Sequence, residues 1–381
     1  MKARKIAVGR TVSASRVRDG IAGPVDVCLC RGRVRIPAIE ITTRGTLLMF
    51  YERRWERGDE TRHDIWLKRS EDGGRTWGRV IPLTRDGRKL RKNYVNVSPV
   101  VDRDTGTIWA FYTWRQFDPV RLTQYVTRSD DDGRTWSTPS ELRVEGGGLL
   151  FGYSDCSRGI QLASGRLLLP FSDVSDGWTP ISVYSDDHGR SWHFGKGIAG
   201  DQWRCIETAL VELADGRVHL NMRCSVPGTK HRLVALSHDG GVTWEKPVAH
   251  PAFRQPQIEG FGCHSSVTRL SDAKRHDRDR LLYSGHRGNA RQDLTLFISY
   301  DEGRSWQPLR VIKNGSAGYS NLIVFPDLSI GCVYESFAPI KNEIRFSRFT
   351  LEWLTGGKDG IPPGGQRPPS GRTGSTAGCA R

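Results

Sequence analysis

No apolar run in this sequence reaches the roughly 18 residues that a membrane-spanning helix needs, so no helical span is expected. The opening stretch, MKARKIAVGRTVSASRVRDG, has basic residues but no apolar segment behind them, which argues against a secretory signal. A cytoplasmic location is the default expectation; a secreted or periplasmic one would need a longer N-terminus. The eight cysteines include no C-x-x-C pair and no His/Cys cluster at zinc spacing, so free thiols are expected and no metal site. The formal net charge is +15, carried mostly by arginine, yet there is no dense Lys/Arg block and no nucleic-acid motif. Nucleic acid is therefore not an expected partner, while an acidic substrate suits the charge.

What the chain does have is repetition. The pattern S-x-D-x-G-x-[T/S]-W occurs five times, starting at Ser70, Ser129, Ser185, Ser237 and Ser299, about 50 to 60 residues apart. Asp and Ser side chains can bond nearby backbone amides, Gly accepts a positive φ, and Trp packs back, so each copy reads as the turn of a β-hairpin. A strand-like run precedes each box (IWLKR, QYVTR, ISVY, RLVAL, LTLFI) and an extended stretch follows it. A second series runs upstream: GTLLMFYE from Gly45, GTIWAFYT from Gly106, GRLLLPFS from Gly165 and GRVHLNMR from Gly216, with looser copies from Arg280 and Ser329. Another strand precedes each of these. The prediction is an all-β six-bladed β-propeller of four-stranded antiparallel blades, spanning residues 21–355. Residues 1–20 would be an N-terminal extension, and 356–381, rich in Gly, Pro and Ser, a disordered tail.

Strand order also predicts where function lies. The start of strand 1 and the strand 2–3 loop share one edge of each blade, and the box turns occupy the other. Strand 1 starts supply Arg35, Glu207 and Tyr319; strand 2 ends supply Arg223 and Glu335; strand 2–3 loops supply Asp59 and Arg291. Three arginines, three carboxylates and one tyrosine thus converge at the mouth opposite the boxes.

The boxes are Asp boxes, and across roughly residues 28 to 355 the chain resembles the exo-sialidases. Arg35-Ile36-Pro37 is similar to that family's arginine–isoleucine–proline motif, and Glu207 precedes Glu212 in its Glu-x-x-x-x-Glu-Leu pattern. Arg223 and Arg291 match the second and third family arginines. Tyr319 and Glu335 complete the set, and Asp59 stands where the acid/base aspartate would; Glu60 and Asp64 share its loop. The resemblance implies an exo-α-sialidase acting on sialylated glycans. Arg35, Arg223 and Arg291 would hold the substrate carboxylate, and Glu335 would orient Arg35. Tyr319 would be the nucleophile, a neutral group that an anionic substrate does not repel. Glu207 would be its base, the arginine cluster would favour the phenolate, and Asp59 would serve as acid/base in a retaining hydrolysis. No metal or organic cofactor is required.

The sequence departs from the family at Val34, at Ser154-Asp155-Cys156-Ser157-Arg158, at Ile206-Glu207-Thr208-Ala209 and at Gly285-His286. These positions are expected to touch the substrate rim. A trans-sialidase, an intramolecular form or a hydrolase of another acidic sugar would keep the same residues. A non-catalytic sialoglycan-binding propeller would keep the boxes, which mark turns and not chemistry. Oligomeric state is not legible from the sequence.

Overall fold

A computed structural model describes residues 24–361, apart from 91, 118–119, 146–150, 176, 199–203, 225–228, 257–261 and 338–341. The fold is all-β, and its strands run in antiparallel meanders joined by tight turns. The first meander is Val34–Ile41, Leu47–Arg54, His63–Ser70 and Ile81–Pro82. The second is Asn93–Val101, Ile108–Phe117, Val120–Ser129 and Ser140–Glu141. In the third, Gly152–Ser154 and Ile160–Gln161 together supply the first strand, ahead of Leu167–Asp173, Thr179–Ser185 and His193–Phe194. The fourth is Cys205–Glu212, Val218–Cys224, His231–Ser237 and Val248–Arg254. The long strand Gln307–Val324 is shared: its first part closes the meander of Ser266–Ser271, Arg280–His286 and Gln292–Ser299, and its second part opens the next, with Ile330–Phe337 and Asn342–Phe349. The strand missing from that last group comes from the other end of the chain. Val25–Gly32 pairs antiparallel with Asn342–Phe349, Val25 facing Arg348 and Gly32 facing Asn342. The sequence reading had not recognised this strand.

Each tight turn is built from side chains within its box. Ser70 Oγ accepts from the Gly74 amide at 2.9 Å and donates to Asp72 Oδ1 at 2.8 Å. Asp72 also accepts from the Thr76 amide at 2.9 Å and the Thr76 hydroxyl at 2.6 Å. The Trp77 indole closes the turn onto the Gly74 carbonyl at 3.0 Å. Gly74 has φ +91°, and a Cβ there would lie 2.1 Å from the Phe346 ring, so both conformation and space demand glycine. Phe346 belongs to the last meander, so the first box also holds two meanders together.

Apolar clusters lie between neighbouring meanders. Phe50, Ile65 and Leu67 of the first pack on Val97, Val101 and Ala110 of the second. Phe111 of the second meets Phe171 and Trp192 of the third. The pattern continues to the last, where Ile323, Val333 and Phe346 pack back on Ile39 and Met49 of the first. Burial of both faces explains the near-continuous apolar runs in the middle strands. Residues 356–361, expected to begin a disordered tail, are held in place. Gly356 caps the helix Leu351–Thr355 in the left-handed conformation, and Asp359 binds the fully buried Arg280 at 2.8 Å and the Tyr300 hydroxyl at 2.8 Å. Residues 1–20 and 362–381 lie outside the described residues. Among the described residues no helix is long and apolar enough to cross a membrane.

Candidate active site

First strands carry irregularities at the end away from the boxes. The pairing slips between Arg35 and Ala38, Val95 and Ser98, Ile206 and Ala209, and Ala317 and Ser320. Ile36, Asn96, Cys156 and Glu207 all have φ between +50° and +57°, a region that side chains other than glycine rarely occupy. Such bulges re-aim side chains out of the pleat. Ile36, Cys156, Cys263 and Tyr319, from four different meanders, consequently pack into one small buried cluster.

Tyr319 is the hub of that cluster. Its hydroxyl donates a short hydrogen bond to Glu207 Oε1 and accepts from Arg223 Nη1 at 2.9 Å. Arg223 Nη1 also pairs with Glu207 Oε2 at 2.6 Å. The Arg35 guanidinium carbon lies 5.4 Å from the Tyr319 ring centroid, and that of Arg291 lies 5.8 Å away. Arg291 is steered by the Gly262 carbonyl, which accepts from its Nη2 at 2.9 Å. Glu335 is buried and accepts three donors: Arg35 Nε at 2.6 Å, the Ile36 amide at 2.8 Å and the Tyr319 amide at 3.1 Å. Gly318 makes that approach possible, because a Cβ there would lie 2.1 Å from Glu335 Oε2. One carboxylate thus anchors both the Arg35 strand and the Tyr319 strand.

Six of the seven predicted residues therefore meet around one phenol. Asp59 does not join the contact network. Its side chain is 73% exposed and pairs with Arg54 at 2.5 Å. Arg54 is itself fixed by the buried Glu52, at 2.8 Å from Nη2 and 3.0 Å from Nε. Glu60 pairs with Arg115 at 3.0 Å, and Asp64 points into the fold, accepting from the Trp55 indole, the Thr84 hydroxyl and the Gly87 amide.

Electrostatics sets the resting protonation of the site: the arginines do favour the phenolate, as expected, but are outweighed. Burial is the largest influence on the Tyr319 phenol and, with the Glu207 charge, raises its pKa well above the ordinary value; Arg223 and Arg291 pull the other way and lose. Tyr319 is thus a neutral phenol, and the arginines alone do not make it a phenolate. Glu207 is opposed by burial, yet Arg223, His264 and the Tyr319 hydrogen bond hold its carboxyl below the ordinary range. Glu207 is a carboxylate with a proton donor in hand. Asp59 behaves likewise: burial works against ionisation, but Arg54 and Arg35 outweigh it and lower its pKa.

The departures expected at the rim lie deeper. Asp155, Thr208 and His286 are all buried. The sequence reading also missed His264, whose ring lies 5.5 Å from that of Tyr319 and whose Nε2 bonds the Ser157 hydroxyl at 2.6 Å. It lies two residues ahead of the first strand Ser266–Ser271, so the positional rule that grouped Arg35, Glu207 and Tyr319 would have found it only if extended to the residues just before each first strand. A cavity of about 1210 Å3 opens at the opposite end of the first strands, lined by Arg103, Arg158, Glu212 and Arg269, and contains none of the predicted site residues.

The family described as BNR repeat-like domain matches residues 45–333. This chain belongs to the sialidase superfamily of BNR-repeat proteins. Its relatives include a sialidase of Micromonospora viridifaciens, 33% identical over 354 residues, which are 84% of this chain and 52% of that one. A sialidase of Bacteroides fragilis is 29% identical over 332 residues, 79% of this chain and 60% of that one. The chain therefore spans between about half and three-fifths of the length of these superfamily relatives. Among solved structures, the Hadza microbial sialidase Hz136 superposes with a TM-score of 0.71 at 26% identity, over 84% of this chain and 66% of that one. The intramolecular trans-sialidase of Ruminococcus gnavus shares the fold, with a TM-score of 0.69 at 18% identity, over 84% of this chain and 95% of that one.

Proposed function

We propose that this chain is an exo-α-sialidase that hydrolyses terminal sialic acid from glycoconjugates with retention of configuration. The observation that carries this reading is the Tyr319–Glu207–Arg223 triangle: a neutral phenol donating to a buried carboxylate that an arginine keeps ionised. Arg35, Arg223 and Arg291 receive the sugar carboxylate through charge-assisted bonds. Glu207 takes the Tyr319 proton as the phenol oxygen attacks the anomeric carbon, and Asp59 protonates the departing glycan oxygen. Water then attacks the tyrosyl–sugar bond with Asp59 as base, and the proton held by Glu207 returns to Tyr319. Two inversions give retention. Because Asp59 rests as a carboxylate on Arg54, substrate must displace that pairing and dry the site before Asp59 can act as an acid.

We also propose that the six meanders close as a six-bladed propeller of four-stranded blades. The cyclic order of the apolar clusters and the seam between Val25–Gly32 and Asn342–Phe349 support this arrangement. It sets strand 1 of each blade around one axis, where Tyr319 stands.

A fluorogenic aryl sialoside tests the activity. Wild type should release the fluorophore, and Tyr319→Phe should lose activity by orders of magnitude. Undiminished turnover by the variant would refute the Tyr nucleophile. Early NMR of the released sugar should show the α-anomer first. An anhydro sugar would instead indicate intramolecular transfer, and binding without release would indicate a lectin-like propeller.

A further inference from the structure

Glu207 occupies an unfavourable backbone conformation, φ +50°, inside a bulge between Ile206 and Ala209. A side chain there relaxes toward negative φ unless something holds the backbone, and that relaxation would swing the carboxylate off the Tyr319 hydroxyl. Two buried charged residues grip this segment. Asp155, 1% exposed, accepts at Oδ2 from the Thr208 amide at 3.0 Å and the Thr208 hydroxyl at 2.7 Å, and at Oδ1 from the Ser172 hydroxyl at 2.6 Å. Arg232, fully buried, directs Nη2 at the Glu207 carbonyl at 3.4 Å and Nη1 at the Cys263 carbonyl at 2.6 Å, while its Nε bonds the Asn221 side-chain oxygen. Neither forms a direct ion pair among the described residues. They face each other across one peptide group instead: the guanidinium at the C=O of Glu207, the carboxylate at the N–H of Thr208. Holding both ends of that peptide fixes the rotation about it, and so the direction in which the Glu207 side chain leaves the backbone.

We propose that Asp155 and Arg232 are positioning residues that clamp the 207–208 peptide and so aim the Glu207 carboxylate at Tyr319. The inference rests on the reading of Glu207 as the base. It gives a role to two departures from the family pattern, Asp155 and Thr208, which form one matched pair bonded to each other.

The test is steady-state kinetics of the full chain on an aryl sialoside, with circular dichroism and thermal melts to confirm folding. Asp155→Ala should lower kcat by about 10²-fold, as a misplaced catalytic group does, with KM within about threefold of wild type because Arg35 and Arg291 are anchored elsewhere. Asp155→Asn should restore kcat to within about fivefold, since its amide oxygen can still accept from Thr208 and its NH2 can donate to Ser172. A folded Asp155→Ala protein with near-normal kcat would overturn the clamp, as would a loss confined to KM or an Asn variant as slow as Ala. Should Asp155→Ala not fold, Thr208→Val decides: it removes only the hydroxyl bond, so a kcat loss of about 3–10-fold supports the clamp and an unchanged kcat overturns it. Glu207→Gln separates the two readings. If it turns over normally, the base assignment fails; if it is inactive while Asp155→Ala is not, the clamp alone fails.

Discussion

Exchanging Glu335 for Gln preserves shape and removes one charge, so its cost can be worked from three distances. The carboxylate accepts from Arg35 Nε at 2.6 Å, the Ile36 amide at 2.8 Å and the Tyr319 amide at 3.1 Å. Glutamine has one acceptor oxygen. Its better orientation keeps that oxygen on Arg35 and Ile36, which turns its NH2 against the Tyr319 N–H, donor facing donor. An orphaned buried donor costs about 1–3 kcal/mol, and reducing the Arg35 contact from a charged to a neutral acceptor costs about 1 kcal/mol more. The sum is about 2–4 kcal/mol, a substantial part of the roughly 5–15 kcal/mol that holds a typical domain folded. Arg35 keeps 17% of its side chain in water, which screens the charge and favours the lower half of that range. Glu335→Ala should cost more, because breaking a buried pair outright costs about 3–5 kcal/mol. Urea unfolding followed by tryptophan fluorescence reads the stability, and KM for an aryl sialoside reads the loosened arginine, with a rise of about tenfold expected for roughly 1.4 kcal/mol of lost carboxylate binding. A Glu335→Gln protein within about 0.5 kcal/mol of wild type, the scale of a neutral surface change, and with an unchanged KM would refute the view that Glu335 joins the two strands and orients Arg35.

Other outcomes follow from neighbouring geometry. Asp59 must carry a proton to serve as an acid, yet Arg54 and Arg35 keep its pKa low, so kcat/KM on an oligosaccharide should fall as pH rises through that low value. Arg54→Gln should shift this limb to higher pH, and an aryl sialoside with a good leaving group should show it less. Burial is the largest single influence on the Asp131 carboxyl of the second box and raises its pKa, but the bonds from Thr135, Ser129 and the Arg134 amide together draw it down to about 2. Because that folded value lies below the usual aspartate pKa of about 3.9, its contribution to stability is present above about pH 4 and lost as pH falls toward 2. Asp131→Asn should therefore be less stable than wild type at pH 6 and equal to it near pH 2 in urea titrations. Gly74→Ala combines a strained φ with a Cβ 2.1 Å from Phe346. It should destabilise the fold by about 2–4 kcal/mol in the same assay, and a loss below about 0.5 kcal/mol would show that the two meanders part there freely.

The hairpin turns were readable in the sequence because their chemistry is local. Ser70, Asp72, Gly74, Thr76 and Trp77 satisfy one another within eight residues, and the same logic recurs at Ser129 and Asp131. The site was readable for another reason: strand order fixes which ends of strands share an edge, so Arg35, Glu207 and Tyr319 could be grouped without knowing any contact. What escaped depended on three-dimensional neighbours. The pairing of Asp59 with Arg54 depends on how a loop folds back on a strand end. Asp155 was visible as a departure, but its bond to Thr208 crosses from one meander to the next, so it looked like a rim residue. The protonation of Tyr319 balances burial and the Glu207 charge against two arginines, and burial cannot be read from composition. The strand Val25–Gly32 has no box and no hairpin partner nearby, so no local signal announced it.

That strand has a consequence for how the molecule is made. Val25–Gly32 is synthesised about 300 residues ahead of its partner Asn342–Phe349. It must stay unpaired, or pair wrongly, until the intervening strands and its partner have been made. Its two exposed edges are a hazard during that interval, and a contact of such long sequence separation forms slowly. The seam should be the last piece to set on folding and the first to open under force, so the durability of the whole structure is held in the eight residues of one strand.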